Sequence, residues 1–201
     1  MFYRIAKNFL MLTAMQIGVI AVGAQPFTID DIPLSWKDFK VRKDFNNHPY
    51  AAKIYTDPTF ETKRIKRNGT TYQHFSWEIE FKRSWVKAKF MDEAPDSVKR
   101  SLLNHEKGHL LIHMIGLKKV QNSIDNFTFS KKIRAELDSI YKAHLGNLQA
   151  DNERYDEETN HSAIAEKQKE WIDKLLAELN ALYIDEKKLQ LKFEAEAPVS
   201  Y

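Results

Sequence analysis

The chain contains no cysteine. That excludes disulfides, a thiol nucleophile, thiolate metal ligands and a lipid anchor on cysteine, so any metal must be held by His, Asp or Glu. An excess of one charge is also missing. The formal net charge is +3, from 31 basic and 28 acidic residues, and Arg4 and Lys7 are the only charges among the first 24 residues. The remainder is nearly neutral, which gives no electrostatic footing for nucleic acid. No internal repeat is visible along the sequence.

Long apolar runs are scarce as well, and the clearest one lies at the start. MFYRIAKNFLMLTAMQIGVIAVGA has a basic beginning, an apolar middle and the small-residue ending Val22-Gly23-Ala24. This is the pattern of a secretory signal peptide over residues 1–24, cut between Ala24 and Gln25. An uncleaved anchor is the alternative, although the apolar stretch is short for a membrane span. The expectation is a secreted or periplasmic protein with no stable membrane span once the signal is removed.

What remains suits one domain over residues 25–201. The chain has 201 residues, 43% hydrophobic, with twelve Phe, eight Tyr and four Trp. That is a globular composition able to bury a core. Residues 27–92 read as sheet-rich, 95–185 as helical, and 186–201 as a tail. Phe75, Trp77, Ile79 and Phe81 alternate with polar residues, the period-2 mark of a half-buried strand. Asn68-Gly69 signals a hairpin turn before it. A helix is expected from Pro95-Asp96-Ser97, with Asp96 or Ser97 as N-cap, to Gly116 or Gln121. A second is expected from Ser130 to Leu148, with His144 on its apolar stripe. After the polar stretch QADNERYDEETNHS, a third carries Ile164, Gln168, Trp171, Ile172, Leu175, Leu179 and Leu182 at helical spacing. LQLKFEAEA alternates like a strand. The class expected is α+β: a twisted antiparallel or mixed sheet, then a motif helix and two further long helices.

The segment LNHEKGHLLIH carries the chemistry. His105 and His109 are four apart, so on a helix one metal can bridge them, while Glu106 can reach a metal-associated water without binding the ion. This is the HExxH arrangement of zinc peptidases. A helix with two hydrogen-bonded polar histidines is the plainer alternative. His113 is four residues further on. Its separation from His105 is about 12 Å along the axis, too far for both to bind one ion on an unbroken helix. The metzincin solution needs a glycine and a ligand at positions held here by Ile112 and Ile115. His48 and His74 have no companions nearby. His161, ahead of the third helix, is the expected third ligand, with Asp156, Glu157 and Glu158 competing in the same segment. Tyr155 is expected to offer a phenol proton to a developing oxyanion.

At these residues the chain resembles a known family. LSWKDFK, NNHPYAAKIY, FKRSWVK, LLNHEKGH and YDEETNHS, with Gln168 and Trp171 following, are similar to the bacterial domain of unknown function 922. The resemblance covers roughly Ile32 to Trp171. It implies a zincin-like fold and a secreted zinc-dependent peptidase. Family members commonly follow the second histidine with an aromatic-acid pair and a further acid, where this chain has Leu110, Leu111 and Met114. The resulting expectation is a zinc metallopeptidase acting on a peptide or protein substrate. Zinc is held by His105, His109 and His161, with Glu106 as general base. The rival expectation is a cell-envelope binding or scaffold protein that keeps the fold without turnover.

Overall fold

A computed structural model describes residues 25–200 apart from 185 and 187. The signal-peptide expectation therefore lies outside the described residues. The strands are β1 (Lys40–Arg42), β2 (Ala52–Lys53), β3 (Asp57–Arg67), β4 (Thr70–Glu80), β5 (Trp85–Lys87) and β6 (Lys192–Val199). The helices are α1 (Ala88–Glu93), α2 (Asp96–Asp125), α3 (Ile133–Leu145), α4 (Leu148–Thr159) and α5 (Ala165–Leu182). The class is mixed α+β, with two small sheets in place of one.

The larger sheet is antiparallel in the order β3-β4-β6. The expected hairpin joins β3 to β4, and Asn68 and Gly69 both take positive φ (50° and 81°), as a tight two-residue hairpin turn requires. Phe75, Trp77 and Ile79 point inward from β4 and are buried against Phe193, Ala195 and Ala197 of β6. The tail that alternates in sequence is thus a true strand, far from its partner along the chain. β3 is exposed along nearly its whole length and carries Lys63, Arg64, Lys66 and Arg67, charges that discourage edge-to-edge pairing. The smaller sheet has the order β1-β5-β2, with β1 parallel and β2 antiparallel to the central β5. β2 is therefore an edge strand.

Helix α2 is the spine. Its 30 residues span about 45 Å at 1.5 Å per residue. Leu110, Leu111, Met114, Val120 and Ile124 are fully buried on it, facing β6, α3 and α5. It starts one residue earlier than expected, with Pro95 as N-cap, and it runs past Gly116 and Gln121. Gly116 does not end the helix. A Cβ there would lie 2.5 Å from Leu145 Cδ2, so the glycine lets α3 cross α2 closely.

The expected second helix is shorter, and an unexpected helix follows it. α3 ends at Leu145, and after Gly146 and Asn147 a separate helix, α4, takes up most of the polar stretch. The stretch hides its helicity because only Tyr155 and Thr159 are fully buried on it, too few for an apolar stripe. α5 buries Gln168, Trp171, Ile172, Leu175 and Leu179 as expected, whereas Ile164 is exposed at its N-cap. No described helix is long and apolar enough to cross a membrane.

Candidate metal centre

Four elements meet beside the middle of α2. Middle turns of α2 present His105, Glu106 and His109, α4 lies across them, the 160–164 turn follows α4, and residues 49–56 around β2 form the opposite wall. Together they line a cavity of about 690 Å³. Its apolar end holds Phe90, Val98 and Leu102, and its polar end holds His113 and Asn152.

One carboxylate oxygen is the focus. Asp156 Oδ1 lies 3.0 Å from His105 Nε2, 3.0 Å from His109 Nε2 and 3.3 Å from His161 Nδ1. One donor atom from each of His105, Asp156 and His161 falls within 4.8 Å of the others. The structure thus brings together the two motif histidines, the expected third ligand His161 and its competitor Asp156. The remaining competitors are not there. Glu158 accepts the Trp171 indole N–H at 2.7 Å, and neither it nor Glu157 lines the cavity.

The motif rings are held from behind. His109 Nδ1 lies 2.7 Å from Asn152 Oδ1, and His105 Nδ1 lies 3.5 Å from Thr159 Oγ1. An Nδ1–H donated to the Asn152 oxygen leaves Nε2 of His109 as a lone-pair donor facing Asp156. Asn152 is a site residue the sequence reading missed. It stands four residues before Asp156, on the same face of α4, a relation visible only once the polar stretch is read as helix.

Glu106 is buried, and its Oε2 accepts the main-chain N–H of Ile54 at 2.8 Å. Burial pushes its pKa above the usual carboxylate value. Burial acts the same way on Asp156, but hydrogen bonds from His105 and His109 outweigh it and hold that carboxyl far below its usual range. Burial lowers the His105 pKa, whereas in His109 the Asp156 hydrogen bond and the Glu106 charge overcome burial and raise it.

Tyr155 departs from its expected role. It is fully buried, its ring stacks on His105 at 4.7 Å, and its hydroxyl donates to the His105 main-chain oxygen at 3.2 Å. The hydroxyl does not face the cavity, so no phenol proton is available to a substrate there. Tyr155 braces His105 instead. It fits because the facing residue of α2 is Gly108, where a Cβ would lie 2.5 Å from Tyr155 Cζ. Leu110, Leu111 and Met114 are core residues with no solvent exposure, so acids at those positions would have no room here.

The other histidines settle into packed roles. His144 Nε2 is 2.7 Å from Ser123 Oγ, and His48 packs edge-on to Trp85 at 4.8 Å. His113 lines the cavity, with Nδ1 2.7 Å from Thr56 Oγ1 and Nε2 3.4 Å from Asn152 Nδ2. Burial pushes its pKa from 6.5 down to about 4. The unfolded chain then binds the proton first as pH falls. This contribution to stability is complete above pH 6.5 and is lost on the way down to 4, up to about 3 kcal/mol by linkage. In chelator-treated protein, His113→Gln should flatten that part of the stability curve, read by urea unfolding at pH 7 and pH 4.5. Equal losses in the variant and the parent would contradict the burial of a neutral ring.

The donor set fits zinc. Imidazole nitrogens and a carboxylate oxygen are ligands zinc accepts, and no thiolate is needed. No curated protein and no solved structure matches the chain. Residues 77–162 match the family described as "Bacterial protein of unknown function (DUF922)". That span runs from Trp77 in the core of β4, through the HExxH helix, to the turn that holds His161, and over it the chain is similar to that family.

Proposed function

We propose that this protein is an exported zinc-dependent hydrolase of zincin-like architecture that cleaves peptide bonds. The observation that carries the reading is the convergence of three imidazoles and Asp156 beside a buried glutamate on one cavity. His105 and His109 would hold the ion, with Asp156 and His161 as further donors. When bound, zinc supplies a Lewis acid that polarises the scissile carbonyl and makes a water more acidic.

The residues of the chain divide the remaining work. Glu106 Oε2 is taken by the Ile54 N–H, which fixes the carboxylate and leaves Oε1 to accept the water's proton. The same oxygen then delivers that proton to the departing amine. Asn152 and Thr159 keep the imidazoles turned inward. The aromatic strand β4 offers a peptide no edge, because β3 and β6 occupy both of its sides. The edge beside the cavity is that of β2, whose flanking residues 49–56 line it, and an extended substrate would add there.

A second reading has an observation of its own. Four side-chain donors are the number a closed structural zinc site uses, which would suit a binding or scaffold protein of the cell envelope. Metal analysis of the purified protein followed by a peptide-library digest separates the readings. About one zinc per chain, with cleavage that a chelator abolishes, is expected. Zinc without cleavage would favour the scaffold. Metal content near zero with the fold intact, even after zinc reconstitution, would refute the hydrolase and favour a scaffold without metal.

A further inference from the structure

We propose that Asp156 joins His105 and His109 as a fixed ligand, and that His161 is a displaceable fourth ligand that closes the site until another oxygen donor replaces it. This rests on the metal-site reading above and assigns separate roles within it.

The spacing supports Asp156. Atoms about 2.0–2.1 Å from a shared tetrahedral zinc stand roughly 3.3 Å from one another. Asp156 Oδ1 is 3.0, 3.0 and 3.3 Å from the three ring nitrogens, close to ligand-to-ligand spacing in each case. A carboxylate that only oriented a histidine would bond the nitrogen turned away from the ion. In His105 and His109 that nitrogen is Nδ1, and it already faces Thr159 or Asn152. Asp156 lies on the inward side.

His161 differs from the other three in exposure and in backbone. Its side chain is the most exposed at 44%, against 3% for His105, 13% for His109 and 32% for Asp156. Asn160, His161 and Ser162 have φ of 46°, 50° and 76°, three successive non-glycine residues in the left-handed region. Such a run is strained and persists only where the surroundings enforce it. Three hydrogen bonds tie the turn to α4: Asn160 N–H to Glu157 O at 3.2 Å, and His161 N–H to Asp156 O and Ile164 N–H to Thr159 O, each at 2.9 Å. The ring itself leans on Tyr50 at 4.7 Å, a side chain that is 40% exposed. The other ligands sit on helices.

Four protein donors close a tetrahedral zinc site, whereas hydrolysis needs an open position. One donor must yield. Releasing His161 moves one exposed turn residue and breaks one surface ring contact, while releasing any other means moving a helix. The incoming ligand is an oxygen donor such as the carbonyl of a substrate.

The test uses the zinc- and cobalt-loaded protein, with His161→Ala and Asp156→Ala as variants. Zinc affinity is read by competition with a chromophoric chelator. Binding of acetohydroxamate is read from the visible spectrum of the cobalt form. Asp156→Ala should lose more zinc affinity than the 10–100-fold typical of outer-sphere changes. His161→Ala should keep one metal per chain, weakened by about tenfold or less, and should bind acetohydroxamate about tenfold or more tightly than wild type. A His161→Ala variant that loses zinc as steeply as Asp156→Ala overturns the proposal, as does one that binds the hydroxamate no better. Either result in the variant, with wild type that loads metal, sinks only this assignment. Wild type that takes up no metal refutes the metal-site reading itself.

Discussion

Glu106→Gln is expected to abolish hydrolysis while leaving zinc content at the wild-type level and the fold at least as stable. The glutamine amide oxygen can still accept the Ile54 N–H that Glu106 Oε2 accepts at 2.8 Å, so the side chain keeps its position. It cannot take a proton from water, and loss of a positioned general base lowers rates on the order of 10²–10⁴-fold. Stability should move the other way. Without the ion, burial raises the carboxyl pKa, so the ionised form costs stability above the ordinary carboxylate range, and in chelator-treated protein a neutral amide removes that cost. Activity bought with a destabilising buried charge is a common trade in active sites. Peptide cleavage, metal analysis and a thermal melt of the chelator-treated protein at neutral pH check the three parts together. If zinc disappears along with activity, Glu106 is a ligand and its role as base is wrong.

The sequence makes some of this legible because it carries local signals. HExxH needs only a helix to place its histidines on one side, and α2 provides it. Alternation in β4 and in LQLKFEAEA marks buried strands without any knowledge of partners, and both are strands. α4 is missed for a physical reason. A helix that buries two residues and exposes charges gives almost no period-3.6 signal, so Asn152 and Asp156 read as parts of a loop. The Tyr155 role fails for the opposite reason. A tyrosine beside ligand candidates suggests chemistry, but only the fold reveals the glycine that lets its ring sink behind His105. The β2 edge is hidden as well, because a two-residue strand has too few positions to show a period.

That glycine supplies the other large effect. In an ordinary helix interior, Gly→Ala stabilises by about 0.5–1 kcal/mol. Gly108→Ala should do the reverse. The new Cβ would lie 2.5 Å from Tyr155 Cζ and 2.8 Å from Cε1, far inside van der Waals contact. The ring has nowhere to go. It is fully buried, with His105 stacked at 4.7 Å on one side and Trp171 of α5 edge-on at 5.6 Å. Helix α4 must therefore move off α2 and carry Asp156, the next residue, away from His105 and His109. Overpacking of this kind costs about 1–3 kcal/mol, which for a chain of this size lowers the melting temperature by roughly 2–12 °C. Zinc affinity should fall with it. Tyr155→Leu introduced into the Gly108→Ala background removes the clashing ring, so the pair should be more stable than Gly108→Ala alone, a coupling that thermal melts of the full double-mutant cycle measure directly. Tyr155→Phe by itself keeps the ring and loses only the 3.2 Å hydrogen bond to the His105 oxygen, a cost of about 1 kcal/mol with turnover preserved. Should Tyr155→Phe stop turnover while zinc and fold survive, the hydroxyl has a chemical role that its buried position does not explain.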